Sequence, residues 1–331
     1  MRRTSTLIVV LGLTLALGCK KEKPTEKAPA KPTTEKAATP KSTATDKPAP
    51  TAEDKPKAPP KVTLLEPGAE PRRELRYTPA KGLKQTLVTT IGLEVQTKLK
   101  GTPGPAQKMP PMIMTMTAEV TDAAPEKFSY TFEVTKAEVG AAEGVPKMIA
   151  DSVGKELAKI SGLKGKAVVD ARGFTTEASL DVPKGVPPRM RELMKNMQQS
   201  IDQLAAPLPV EAVGKGAKWK VEQTITQSGM TLQQTSFFEL VSLDEGSAEV
   251  SVIVEQNADA QPLNAPGVPT GAKLNKMIGK GKGRSKLVFG KIAPEESEVE
   301  VTTDTSITVL VGSAEQTMET QTKMSMKLTG K

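Results

Sequence analysis

From Thr63 to Lys331 most of the chain alternates apolar and polar residues with a period of two, which places one set of side chains on one face of an extended strand. Leu83, Leu87, Ile91, Leu93, Val95 and Leu99 share a face, set against Lys84, Thr86, Glu94, Gln96 and Lys98. Met112, Met114, Met116, Ala118 and Val120 repeat the pattern, as do Phe128, Tyr130, Phe132 and Val134. Val299, Val301, Ile307, Val309 and Val311 follow it later, and Met318, Met324, Met326 and Leu328 close the series. Such two-faced strands suit an antiparallel sheet with one wet side. Asp170-Ala171-Arg172-Gly173, Gln227-Ser228-Gly229 and Asp244-Glu245-Gly246 supply turn residues between strands and predict hairpins.

Two segments change to helical spacing. One runs from about Pro146 to Ile160, with Met148, Ile149, Val153 and Leu157 as its apolar face and Gly162 as its stop. The other starts at Pro187-Pro188, carries Met190, Leu193, Met194, Met197, Ile201 and Leu204 on one stripe, and ends at Pro207. Each stripe needs cover, and the sheet is the available partner. The expected fold is mainly β (α+β): a long twisted antiparallel sheet, half-barrel-like, with about two amphipathic helices on one face. No internal repeat is evident.

The first 62 residues read differently. Arg2 and Arg3, the apolar run Leu7–Leu17 and small Gly18 form the three parts of a secretory signal over residues 1–18. The run is too short to span a bilayer. Ala16-Leu17-Gly18-Cys19 resembles the lipobox of bacterial lipoproteins, which implies that Cys19, the chain's single cysteine, carries lipid and becomes the new N-terminus. Two or three acyl chains hold a protein at a membrane almost permanently. Lys20 in place of the retention aspartate implies, by the enteric sorting rule, an outer-membrane address in the cell envelope. Residues 19–62 continue as a Lys-, Pro-, Thr- and Ala-rich tether with no aromatic residue, too polar to fold. Its reach lies between about 40 Å as a coil and about 130 Å extended.

Charge follows the same boundary. Residues 1–62 hold 13 Lys and Arg against 6 Asp and Glu, net +7 of the chain's +8, which leaves 33 basic and 32 acidic residues for the body at 63–331. The basic excess belongs to the tether, so no nucleic acid is expected as a partner.

The sequence Leu208-Pro209-Val210-Glu211-Ala212-Val213-Gly214-Lys215-Gly216-Ala217-Lys218-Trp219 leads into the second half of the strands. With the order of strands, helix, hairpin, helix and strands, it resembles bacterial envelope lipoproteins of uncharacterised families. The layout is also similar to half-barrel lipoprotein carriers. That resemblance implies a curved sheet and helices around an apolar cavity.

The chain has no histidine, so it lacks the Ser-His-Asp triad, the Cys-His pair and the usual zinc ligands. Paired carboxylates remain for a hydrolase, but nine aromatic residues in the whole chain give little to stack sugars on. No catalytic residue, metal or cofactor is expected. Met112, Met114, Met116, Met190, Met194 and Met197 are the candidate lining of a cavity for a lipid-like ligand; the alternative is an adaptable core poor in aromatics. Gly279-Lys280-Gly281-Lys282-Gly283-Arg284 is a candidate loop for an anionic group, against a plain solvated loop. Trp219 is expected as a buried anchor with its ring N–H on backbone.

The expected function is a membrane-anchored, non-enzymatic envelope lipoprotein that binds an apolar or amphipathic ligand. The alternatives are a structural or protein-interaction module of the envelope, and a carboxylate-dependent hydrolase. Cys19→Ser, expressed with acyl-chain labelling, should lose both the label and membrane fractionation. Retention of both would disprove the lipid anchor.

Overall fold

The computed structural model describes residues 60–99, 101–141, 143–181, 206–227, 229–263, 268–311 and 314–331. Among them fifteen strands form one antiparallel sheet. In the first half these are β1 (Lys61–Glu66), β2 (Lys84–Leu99), β3 (Thr102–Pro103), β4 (Gln107–Lys108), β5 (Met112–Ala123) and β6 (Lys127–Val139), then helix α1 (Lys147–Ala158), β7 (Lys164–Asp170) and β8 (Thr175–Leu180). The second half holds β9 (Lys218–Gln227), β10 (Met230–Leu243), β11 (Ser247–Ala258), β12 (Gln261–Pro262), β13 (Lys273–Val288), β14 (Glu296–Val311) and β15 (Ala314–Gly330). The main path is β1-β9-β10-β11-β13-β14-β15-β2-β5-β6-β7-β8, with β3, β4 and β12 as short additions. All three expected hairpins form: β7–β8, β9–β10 and β10–β11.

Helix α1 follows Pro146, whose extended backbone (ψ 133°) starts the chain at an angle to the first turn. Val153 is buried, and Gly154 lets the helix lie close to β6: a Cβ there would come within 2.9 Å of Val139 Cγ2. Gly162, at φ +82°, turns the chain back into β7. One helix therefore stands among the described residues where about two were expected. The stripe from Met190 to Leu204 lies outside the described residues.

The sheet path exposes a repeat that the sequence hides. β2-β5-β6-β7-β8 and β9-β10-β11-β13-β14 have the same order and the same antiparallel sense. Lys81-Gly82-Leu83-Lys84 opens the first set and Lys215-Gly216-Ala217-Lys218 the second, with both glycines at φ +82°. The backbone bonds match. Gly82 N–H donates to Val120 O and Gly216 N–H to Leu240 O, each at 2.8 Å; Val120 donates back to Leu83 O and Leu240 to Ala217 O, each at 2.9 Å. Bulges fall at Val120/Asp122 and Leu240/Ser242, just before equivalent turns. The sequence conceals the match because the insertions differ: α1 separates β6 from β7, while β12 separates β11 from β13. The strands that flank the two sets cross between them. β1 precedes the first set but pairs with β9, and β15 follows the second but pairs with β2.

At one end the sheet is rolled over. Tyr77 N–H donates to Ala171 O at 2.8 Å and Thr78 N–H to Phe289 O at 2.7 Å. Ala171 directly follows β7 and Phe289 directly follows β13, six strands apart along the path, which a flat sheet would separate by about 29 Å. Adjacent residues can reach both only if the sheet curls. Other bonds close the same junction. Leu208 N–H meets Arg172 O at 2.9 Å, Arg172 Nε donates to Leu208 O at 3.0 Å, and Trp219 Nε1 donates to Pro207 O at 2.9 Å. Gly214 sits directly against the Ala69 carbonyl, where no side chain fits.

Inside the roll lies the main core, with Trp219, Tyr77, Tyr130, Leu87, Leu240 and Leu287 buried. Trp219 stacks on Phe238 with ring centroids 5.4 Å apart, so its ring and its N–H are both satisfied. The equivalent position in the first set is Gln85, also buried. Its Oε1 accepts from Ile292 N–H at 3.0 Å and Ala293 N–H at 3.1 Å, while Nε2 donates to Ala293 O at 3.2 Å. A side chain with both a donor and an acceptor thus holds the turn between β13 and β14.

Tyr77 is fully enclosed and donates its hydroxyl to Ala206 O at 3.2 Å. Burial pushes its ionisation far above the usual tyrosine range. The folded state resists the phenolate, so this contribution is complete below about pH 10 and is lost as pH rises above it. In urea titrations Tyr77→Phe should cost about 1 kcal/mol at neutral pH and flatten the stability loss above about pH 10. An unchanged alkaline slope would place the titration elsewhere.

Candidate functional site

Strand pairing brings the core-facing side chains of distant segments into rows. One row runs Trp219, Phe238, Val252, Gly283, Val299, Met326, Ile91, Met112 and Val139. The next runs Val221, Ser236, Val254, Gly281, Val301, Met324 and Leu93. Beyond it comes a polar row: Gln223, Gln234, Gln256, Gly279, Thr303 and Thr322. Gln256 Nε2 donates to Gln234 Oε1 at 2.8 Å, and Gln234 Nε2 to Ser236 Oγ at 3.3 Å. The face is therefore an apolar floor bordered by uncharged hydrogen-bonding groups.

Its ends and its middle differ. At the junction the floor is sealed by the main core. At the far end Leu263 and Ala272 cover Leu274, Met277, Ile307 and Val309, and on the other side cover comes from Leu157 of α1 and from Ile160 and Leu163 in the turn after it. Between them Ile91, Leu93, Met112, Met326 and Val299 are only half-buried, and Met324 is 41% exposed. This strip has incomplete cover.

The three methionines of β5 divide accordingly. Met116 is in the main core, Met114 packs beside Val134 and Leu163, and Met112 lies in the open strip. Met190, Met194 and Met197 lie outside the described residues. Met324 and Met326 join the strip through β15, which the sequence alone does not place beside β2.

The expected anion loop is corrected by the structure. Residues 279–284 lie in the middle of β13, with ladders to β11 and β14 on both sides, so their backbone is committed to the sheet. Lys280, Lys282 and Arg284 point outward, opposite Glu255, Glu300 and Glu298, with Arg284 Nη2 3.5 Å from Glu298. Gly279, Gly281 and Gly283 face the core side. A Cβ on Gly281 would approach the Glu300 carbonyl and Val301 Cγ2 at 2.7 Å, and one on Gly283 would meet Val299 Cγ2 at 2.7 Å. Glycine is needed there because the side chains of the flanking strands, Val301 and Val299 among them, close over β13 on this side.

The outward face is ionic. Lys286 Nζ lies 2.7 Å from Glu295, and their hydrogen bond holds the lysine above and the glutamate below their ordinary ranges. Two surface hollows lie away from the core-side floor. One of about 520 Å³ rests on α1 alone, beside Met148 and Lys155. The other, about 400 Å³, has the outward residues Lys98, Lys276 and Glu319 on its rim. Among the described residues there is no cluster of three metal-ligating His, Cys, Asp or Glu side chains, and no helix is long and apolar enough to cross a membrane. Neither a protein-family model nor a curated protein sequence matches the chain.

The exposure difference among the methionines is testable. Under mild peroxide, peptide mapping should find Met324 sulfoxide forming several-fold faster than Met116 sulfoxide. Equal rates would mean that the strip is covered as completely as the core.

Proposed function

We propose that the chain is a non-enzymatic envelope lipoprotein, held at the outer membrane through lipid on Cys19, whose half-barrel-like sheet binds an apolar or amphipathic ligand on its concave side. The half-exposed strip of Ile91, Leu93, Met112, Met324 and Met326 carries this reading. An apolar face inside a roll is costly to leave to water, and binding relieves that cost. Methionine suits such a surface because its unbranched thioether adapts to different chain shapes. The tether lets the body reach away from the membrane that holds it.

Carboxylates are absent from the core-facing positions of the described strands, which supports binding over hydrolysis. A second reading, a protein-interaction module, draws support from the outward face. Ile253, 58% exposed, pairs with Phe237 there, an apolar island among charged neighbours.

Native mass spectrometry of the secreted full-length Cys19→Ser protein, purified gently, separates the two. A discrete added mass that disappears on denaturation is the expected result. A bare chain at its calculated mass would favour the interaction module.

A further inference from the structure

We propose that the ligand is an electrically neutral acyl glycerolipid, its chains on the two apolar rows and its ester and hydroxyl head against the glutamine and threonine row. This rests on the reading of the core face as a binding face and adds the charge of what binds there.

The chain carries 46 Lys and Arg and 38 Asp and Glu. Among the described residues none stands at a core-facing position of β2, β5, β9, β10, β11, β13, β14 or β15. The separation is sharpest on β13, where Lys280, Lys282, Arg284 and Lys286 point outward opposite glutamates while Gly279, Gly281 and Gly283 face in. A carboxylate or phosphate laid on this floor would lose water and find no cation. That disfavours fatty acids and acidic phospholipids.

A bare hydrocarbon fits no better, because it would cover amides and hydroxyls without answering them. Gln256 and Thr303 close over Gly279 from the two flanking strands: a Cβ on Gly279 would come within 2.7 Å of Gln256 Oε1 and 3.2 Å of Thr303 Oγ1. The bare glycine lets an amide oxygen and a hydroxyl converge side by side on the core face, where a small uncharged head could lie against them. Both groups donate as well as accept, as esters and free hydroxyls require.

The test uses full-length Cys19→Ser protein with three probes: dioleoylglycerol, oleate and dioleoyl phosphatidylglycerol, at about pH 8 so that oleate is ionised. Competition against a bound fluorescent neutral lipid, with native mass spectrometry for stoichiometry, should rank dioleoylglycerol about ten-fold or more ahead of either anion. The double variant Gln256→Leu, Thr303→Val should narrow that preference. Anions that bind as tightly as dioleoylglycerol would overturn the assignment of a neutral head while leaving the binding face intact. If none of the three probes nor the fluorescent lipid binds, the binding face itself is wrong.

Discussion

The junction around Tyr77 and Thr78 is the constraint from which the rest of the architecture follows. Two consecutive amides bind strand ends that belong to different halves of the sheet, and Arg172, Leu208 and Trp219 fasten a third segment to the same place. A sheet of this many strands has two free edges and a large apolar face to cover. Drawing its ends together at one point lets the face cover itself. The main core is therefore assembled from β2, β5, β6 and β7 on one side and β9, β10, β11 and β13 on the other.

The paired halves solve the same local problem with different chemistry. Trp219 and Gln85 occupy equivalent buried positions, one filling space with a ring stacked on Phe238, the other holding a turn through three hydrogen bonds. Backbone pattern is retained at the glycine turn and the bulge, where geometry leaves few options. Side chains diverge where packing can be met in several ways. The insertions diverge most, so α1 covers one corner of the face and the segment around Leu263 another.

Much of this was legible in the sequence. The strands announced themselves because outward residues are charged and inward ones apolar, and the turns because glycine and aspartate stand where the backbone reverses. The stretch from Gly279 to Arg284 misled for a physical reason. Its period of two is carried by cations and glycines, with no apolar residue to mark the inner face, and it reads as a loop. Met112, Met114 and Met116 were correctly grouped on one face, but their neighbours Met324 and Met326 come from the far end of the chain. Only the register of β15 on β2 brings them together. The repeat escaped notice because equivalent positions such as Gln85 and Trp219 share burial and not chemistry.

The crossing of β1 and β15 between the two halves has a consequence for how the molecule is made. Neither half can finish its own sheet from its own stretch of chain: β2 waits for residues beyond Ala314, and β9 takes a partner laid down before the first half began. A polypeptide interrupted before residue 314 would leave β14 and β2 bare side by side, inviting aggregation or proteolysis. The arrangement ties the two halves together, because among the described residues the sheet is continuous from one to the other only through β15.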